Sequence, residues 1–110
     1  MPAHYATARR MLGSVPSPKV GEGDEALRRV AERKGFGDSF RPTSVGVFFG
    51  EPEVEVDDPF FGGEGPRRTG CTWCGACMVG CRVGAKNTLD QNYLYLAERR
   101  GARILPETEV

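Results

Sequence analysis

The sequence carries no net charge: its 110 residues include 15 basic and 15 acidic side chains and a single histidine. Nucleic-acid binding depends on clustered positive charge, so no nucleic-acid partner is expected. The basic pairs Arg9-Arg10, Arg28-Arg29, Arg67-Arg68 and Arg99-Arg100 have acidic residues nearby and mostly read as solvated faces or turn flanks. No apolar run approaches the roughly 20 residues of a membrane-spanning helix, so no transmembrane segment is expected. Residues 1–13 lack the charged-then-apolar order of a secretion signal. No cysteine lies outside residues 71–81, which rules against a disulfide framework spread through a small secreted fold. The dinucleotide fingerprint G-x-G-x-x-G between a strand and a helix is also missing. Gly21-Glu22-Gly23 and the glycines at 62, 63 and 65 are better explained by turns.

With 15 glycines, 8 prolines and only 39% hydrophobic residues, much of the backbone is expected in turn and loop. Tyr5, Ala8, Met11 and Leu12 recur at helical spacing and predict a helix over residues 3–12, stopped by Gly13. Pro16 and Pro18 impose an extended linker. Asp24 is the expected N-cap of a second helix reaching Lys34, with Leu27, Val30 and Ala31 as its apolar stripe and Gly35 as its end. The run Val45-Gly46-Val47-Phe48-Phe49 predicts a strand, and the acidic–apolar alternation of residues 53–57 predicts another with one wet face. Residues 59–66 form a loop whose aromatics need a neighbour.

Thr88 can cap a third helix over residues 89–100, with Leu89, Tyr93, Leu96 and Ala97 on one face and Gly101 as a left-handed stop. An extended stretch follows from Arg103. Helix, glycine and strand make half of an α/β unit, and no segment supplies the partner strands. The expected class is therefore an α+β fragment of a larger α/β protein. A small α+β protein with a two-stranded sheet is the other reading.

Cys71, Cys74, Cys77 and Cys81 have the spacing of a bacterial ferredoxin run. Arg82 replaces the proline of that run, and no fifth cysteine exists to complete a site from elsewhere. A 4Fe-4S electron-transfer module with these four ligands is one alternative. A zinc-stapled interaction domain is another, although zinc sites usually draw their ligand pairs from two separated segments. The C-x-x-C pairs also permit thiol–disulfide chemistry. The plainest reading is that small cysteines pack a glycine-rich corner.

The residues around the cysteines are more distinctive than their spacing. Phe60-Phe61-Gly62-Gly63-Glu64-Gly65-Pro66-Arg67-Arg68-Thr69-Gly70-Cys71, Cys77-Met78-Val79-Gly80-Cys81-Arg82, Gly84-Ala85-Lys86-Asn87-Thr88-Leu89 and Asn92-Tyr93-Leu94 resemble bacterial, cholesterol-oxidase-like members of the glucose–methanol–choline flavoprotein family. Upstream, Arg10-Met11-Leu12-Gly13 and Val45-Gly46-Val47-Phe48-Phe49-Gly50 continue the resemblance; downstream, Leu96-Ala97-Glu98 and Gly101-Ala102 do so. Val83 departs from it, since relatives usually carry an aromatic or histidine there.

The resemblance implies an FAD enzyme that oxidises a sterol or other apolar alcohol, with oxygen reoxidising the flavin. It implies a soluble bacterial protein, cytoplasmic or cell-associated. Residues 1–100 would belong to the substrate or linking region, and residues 101–110 would begin a strand returning to the FAD domain. On this reading the segment carries no catalytic residue and is inactive alone. Val110 matches a valine whose backbone contacts the adenine of FAD. His4 is not promoted to catalysis, and Phe48, Phe49, Phe60 and Phe61 either line an apolar pocket or pack a core, packing being the stronger reading.

Overall fold

A computed structural model describes residues 1–109. The chain divides into two compact units, one spanning Val15–Val45 and the other combining Met1–Ser14 with the chain from Gly46 onward. Helix α1 is Pro2–Met11 and α2 is Glu22–Arg33; the short α3 is Tyr93–Glu98. Strands β1 (Ser14–Pro16) and β2 (Ser44–Gly46) form one two-stranded sheet. β3 (Glu55–Val56) and β4 (Arg68–Thr69) form a second, antiparallel, with Glu55 opposite Thr69 and Val56 opposite Arg68. Three single 3-10 turns, at Gly37–Ser39, Ala76–Met78 and Leu89–Gln91, complete the regular structure. Short helices with a few short strands fit an α+β class.

In the Val15–Val45 unit, α2 begins three residues earlier than the sequence suggests. Gly21 is the N-cap, and Asp24 acts from the third helical position, accepting the Gly21 N–H at 2.8 Å. That corrects the expected cap at Asp24. A carboxylate at this position satisfies an otherwise orphaned donor and suits the positive end of the helix dipole. The helix surface carries an Arg28 paired with Glu25 and Glu32. The expected apolar stripe is not buried: Leu27 is 62% and Val30 51% exposed. Between α2 and residues 39–45 lies an open cavity of about 410 Å³, floored by Val20, Leu27, Phe40 and Val45.

In the other unit, the predicted strand over residues 45–49 is shorter than expected. Beyond β2 the chain stays extended but pairs with a loop: Val47 bridges Lys86, the Phe48 N–H donates to the Ala85 carbonyl at 2.8 Å, and the Cys71 N–H donates to the Phe48 carbonyl at 3.0 Å. The predicted helix over residues 89–100 is broken. A 3-10 turn at Leu89–Gln91 gives way to Asn92 at φ −141° and ψ −98°, and α3 starts only after it. Asn92 is fully buried, and its side-chain oxygen accepts the Tyr93 N–H, so it caps α3 instead of continuing a helix. Gly101, at φ 90°, stops α3 as expected. Residues 103–105 pair with no strand among the described residues. An extended segment keeps ladder geometry only where its backbone groups find partners.

The Pro52–Gly70 approach is the tightest in the fold. The Glu53 N–H donates to the Gly70 carbonyl and the Gly70 N–H to the Val54 carbonyl, and a Cβ on Gly70 would sit 2.0 Å from the Glu51 carbonyl oxygen. Backbone, not a flexible side chain, would have to move. Gly70→Ala is expected to destabilise the chain by about 1–3 kcal/mol, the usual cost of overpacking, read as a lower urea midpoint with an unchanged slope.

Candidate functional site

Arg68 occupies β4 and is 1% exposed. Strand alternation turns its neighbour Arg67 outward, where Arg67 meets Glu55 at 2.6 Å and Asp57 at 3.3 Å. The Arg68 guanidinium faces inward as a fork. Its Nε donates to the Gly84 carbonyl at 2.8 Å, Nη2 to the Ala85 carbonyl at 2.9 Å and Nη1 to Asn87 Oδ1. Its carbon lies 5.5 Å from the centre of the Phe60 ring. Asn87 passes the connection on: its Nδ2 donates to the Leu12 carbonyl at 3.0 Å and its N–H to the Gly46 carbonyl at 2.8 Å. One side chain thereby fixes residues 84–87 and, through Asn87, the ends of two distant segments.

No carboxylate forms a salt bridge with Arg68 among the described residues. Burial pushes its pKa down, and the more distant Cys81, Asp58 and Asp90 push the other way. The cation survives burial because a guanidinium does not deprotonate in proteins and because carbonyl dipoles and a ring face surround it.

Asp58 organises the loop beside this hub. Its carboxylate accepts the backbone N–H groups of Phe60, Phe61, Gly63 and Gly65 at 2.8–3.0 Å. Burial alone would raise its pKa, but the four donors outweigh burial and the net direction is down. The loop in turn presents Phe60, whose ring meets Phe48 edge-on at 6.0 Å and Phe61 at 6.1 Å. Phe49 stacks on Trp73 at 4.9 Å. These four phenylalanines pack ring on ring.

The cysteine run shares a cleft with Ala85 and Lys86 of the loop that Arg68 holds. Left-handed Trp73, Gly75 and Gly80 make its turns. Cys71 and Cys81 are half-buried, Cys74 and Cys77 are exposed, and all four are free thiols. All four line a cleft of about 20 Å³ with Val47 and Ala85, room for little more than a water. The Trp73 N–H donates to Cys71 Sγ and the Lys86 N–H to Cys81 Sγ, both at 3.4 Å. Lys86 Nζ donates to the Cys77 carbonyl at 2.8 Å. Burial raises the Cys81 pKa, yet the N–H groups of Lys86, Ala85, Val83 and Gly84 together bring it below its ordinary value.

Among the described residues no group of three or more histidine, cysteine or acidic side chains is arranged to hold a metal ion. The structure does not support the iron–sulfur reading of Cys71, Cys74, Cys77 and Cys81, or the zinc staple. Cys71 and Cys81 each accept a backbone N–H while Cys74 and Cys77 are exposed. His4 lies exposed on α1, away from any such group. Val110 lies outside the described residues.

Over its whole length the chain aligns with curated bacterial proteins. Cholesterol oxidases from two strains of Mycobacterium tuberculosis are 54% identical over 112 positions, covering 97% of this chain and 19% of theirs. The chain is cholesterol-oxidase-like in sequence. A cholesterol oxidase from Acinetobacter baumannii is 50% identical over 115 positions, covering all of this chain and 20% of that protein. The chain thus spans about a fifth of the length of the curated relatives it matches. No family model and no solved structure matches it. Among the described residues no helix of this cholesterol-oxidase-like chain is long and apolar enough to cross a membrane.

Sequence reasoning missed the residues at the centre of the site. Arg68 was grouped with Arg67 as a solvated turn flank, which holds for Arg67 alone. The available signal was the alternation of Glu53-Val54-Glu55-Val56-Asp57 across from Arg67-Arg68-Thr69, which places one arginine of the pair among acids and the other on the inner face.

Two outcomes follow from this geometry. Arg68→Met leaves two backbone carbonyls and an amide oxygen without their donor, and each buried orphan costs about 1–3 kcal/mol. The variant is expected to lose about 3 kcal/mol of stability or more by urea denaturation. Arg68→Lys should recover only part, because an ammonium cannot reproduce the three-way fork. For Asp58, a folded pKa below the ordinary 3.8 contributes stability above that value and loses it as pH falls through the folded pKa. Asp58→Asn is expected to lower the unfolding midpoint at pH 7 and to flatten its decline below about pH 4, measured by thermal melts across pH.

Proposed function

We propose that this chain is one segment of an FAD-dependent oxidoreductase of the glucose–methanol–choline kind that oxidises a sterol or related apolar alcohol. The observation that carries the reading is the 54% identity to proteins named cholesterol oxidase across 97% of the chain. Relatedness at that level over a continuous stretch supports a shared local fold and a parent of the same chemical class, with oxygen as the flavin's reoxidant.

The described residues do not themselves fit FAD. A pyrophosphate needs free backbone N–H groups at a glycine-rich turn opening a helix. The N–H of Gly21, at the start of α2, is occupied by the Asp24 carboxylate, and those of Gly63 and Gly65 by the Asp58 carboxylate. Both turns place a negative charge where a phosphate would need to sit. Flavin binding and the redox step are therefore assigned to other parts of a longer polypeptide, and this segment alone is read as inactive. Residues 1–100 would then serve as linking and substrate-region scaffold, with residues 101–110 leading back to the cofactor domain.

Val110 is the one position proposed to touch the cofactor, through its backbone amide and carbonyl at the adenine edge. The test uses a polypeptide of the relatives' length that contains this segment. It is expected to show a flavin absorbance spectrum and sterol-dependent peroxide release, while residues 1–110 alone show neither. Within that polypeptide, Val110→Ala should keep FAD affinity near wild type, whereas Val110→Pro, lacking the N–H, should weaken it by roughly tenfold, about 1.4 kcal/mol. A long polypeptide with no bound flavin and no response to sterols would overturn the proposal.

A further inference from the structure

The cysteine-lined cleft has no role in that reading, and its chemistry is of another kind. Cys81 Sγ lies at the end of the Lys86 N–H, and the turn it begins is closed by the Gly84 N–H on the Cys81 carbonyl at 3.4 Å. The same turn is held by Arg68 through the Gly84 and Ala85 carbonyls. A sulfur that accepts a backbone N–H, in a turn whose next carbonyls are held by a buried guanidinium, is in surroundings that favour its anionic form. The depressed pKa of Cys81 agrees with this placement.

Among the other three cysteines, Cys77 is the one tied to the same turn. Lys86, whose N–H holds the Cys81 sulfur, also donates from its Nζ to the Cys77 carbonyl at 2.8 Å. Cys77 sits in the 3-10 turn Ala76–Met78, four positions before Cys81, with left-handed Gly80 between them. It is exposed, whereas Cys71 is held by the Trp73 N–H and by the backbone bond to Phe48.

We propose that Cys81 and Cys77 form a peroxide-oxidised thiol pair, with Cys81 as the attacking sulfur and Cys77 as the resolving one. In the first step the Cys81 thiolate attacks one oxygen of a hydroperoxide. The S–O bond forms, the O–O bond breaks, and Cys81 becomes a sulfenic acid while hydroxide or alkoxide leaves and takes up a proton. In the second step the Cys77 thiolate attacks the sulfenic sulfur, the S–S bond forms, and the sulfenic oxygen leaves as water using the thiol proton. Two thiols are oxidised by two electrons and one hydroperoxide is reduced. The pair stands apart from the sterol-oxidase reading, because the peroxide is a reagent from any source.

The test treats the reduced polypeptide carrying this segment with equimolar hydrogen peroxide, blocks remaining thiols with N-ethylmaleimide, and maps the cysteines by peptide mass spectrometry. A Cys77–Cys81 disulfide is expected, reversed by dithiothreitol. In the peroxide-treated wild-type protein at pH 7, sulfenic-acid trapping with dimedone should mark Cys81 more than Cys74 or Cys77, following the backbone donor at its sulfur. Cys77→Ser should make the Cys81 sulfenic acid persist, and Cys74→Ser should leave the disulfide unchanged. A link mapping to another pair, first oxidation at Cys74 or Cys77, or no disulfide at all would each overturn the proposal. So would stoichiometric iron and acid-labile sulfide held by the four cysteines. The wild-type dimedone pattern needs no variant, so the test survives a Cys81→Ser protein that fails to fold.

Discussion

A buried guanidinium with no carboxylate at salt-bridge distance is the constraint on which the larger unit depends. Arg68 is nearly inaccessible, and an ion removed from water is costly unless each of its nitrogens finds an acceptor. The chain meets that demand with two loop carbonyls, one amide oxygen and a ring face. Those acceptors are useful only if residues 84–87 hold one conformation. Asn87 secures it by binding the Leu12 and Gly46 carbonyls in addition to Arg68. The loop order therefore follows from the electrostatics of one side chain, and the cysteine turn inherits its shape from that loop.

A polar centre of this kind substitutes for a hydrophobic one. Among the described residues the buried apolar side chains are Val47 and Ala85, while Tyr5, Leu27, Val30, Phe36 and Leu105 are largely exposed. At about 25 cal/mol for each Å² of apolar surface removed from water, two small buried residues contribute little, and directed hydrogen bonds have to carry the specificity. Such bonds contribute about 1 kcal/mol each when made and cost more when broken. The unit is for that reason sensitive at Arg68, Asn87 and Asn92 more than at its apolar positions. In the Val15–Val45 unit, α2 is supported mainly by its own acidic N-terminus and its Arg28 ion pairs, each worth a few tenths of a kcal/mol.

How much of this could be read from the sequence depended on whether the deciding interaction was local. The first helix, the Gly101 stop and the turn-rich character are set by neighbouring residues and were legible. The second helix was placed correctly, but its carboxylate cap works from the third position because Asp24 reaches back to Gly21. The long helix over residues 89–100 failed at Asn92, whose burial is a tertiary fact that periodicity does not register. Arg68 failed for the same reason. Its partners lie 16 to 19 residues away, and only strand alternation hinted at its side. The cysteine spacing matched a cluster motif, yet among the described residues the four thiols are not arranged to hold a metal ion.

Arg68, Gly70, Gly84, Ala85, Asn87 and Asn92 build the framework of the larger unit, and each is fixed by a hydrogen bond or a close backbone approach. None of them bears a nucleophile or a general base. Their role is to hold a loop system in place, and the four thiols line a cleft beside that loop. Cys81 is the point where the two meet: the Arg68-held loop that stabilises the fold also lines up the N–H donors at its sulfur. The rigidity of this loop and the lowered pKa of Cys81 therefore have the same origin, and loosening the Arg68 fork should weaken both together.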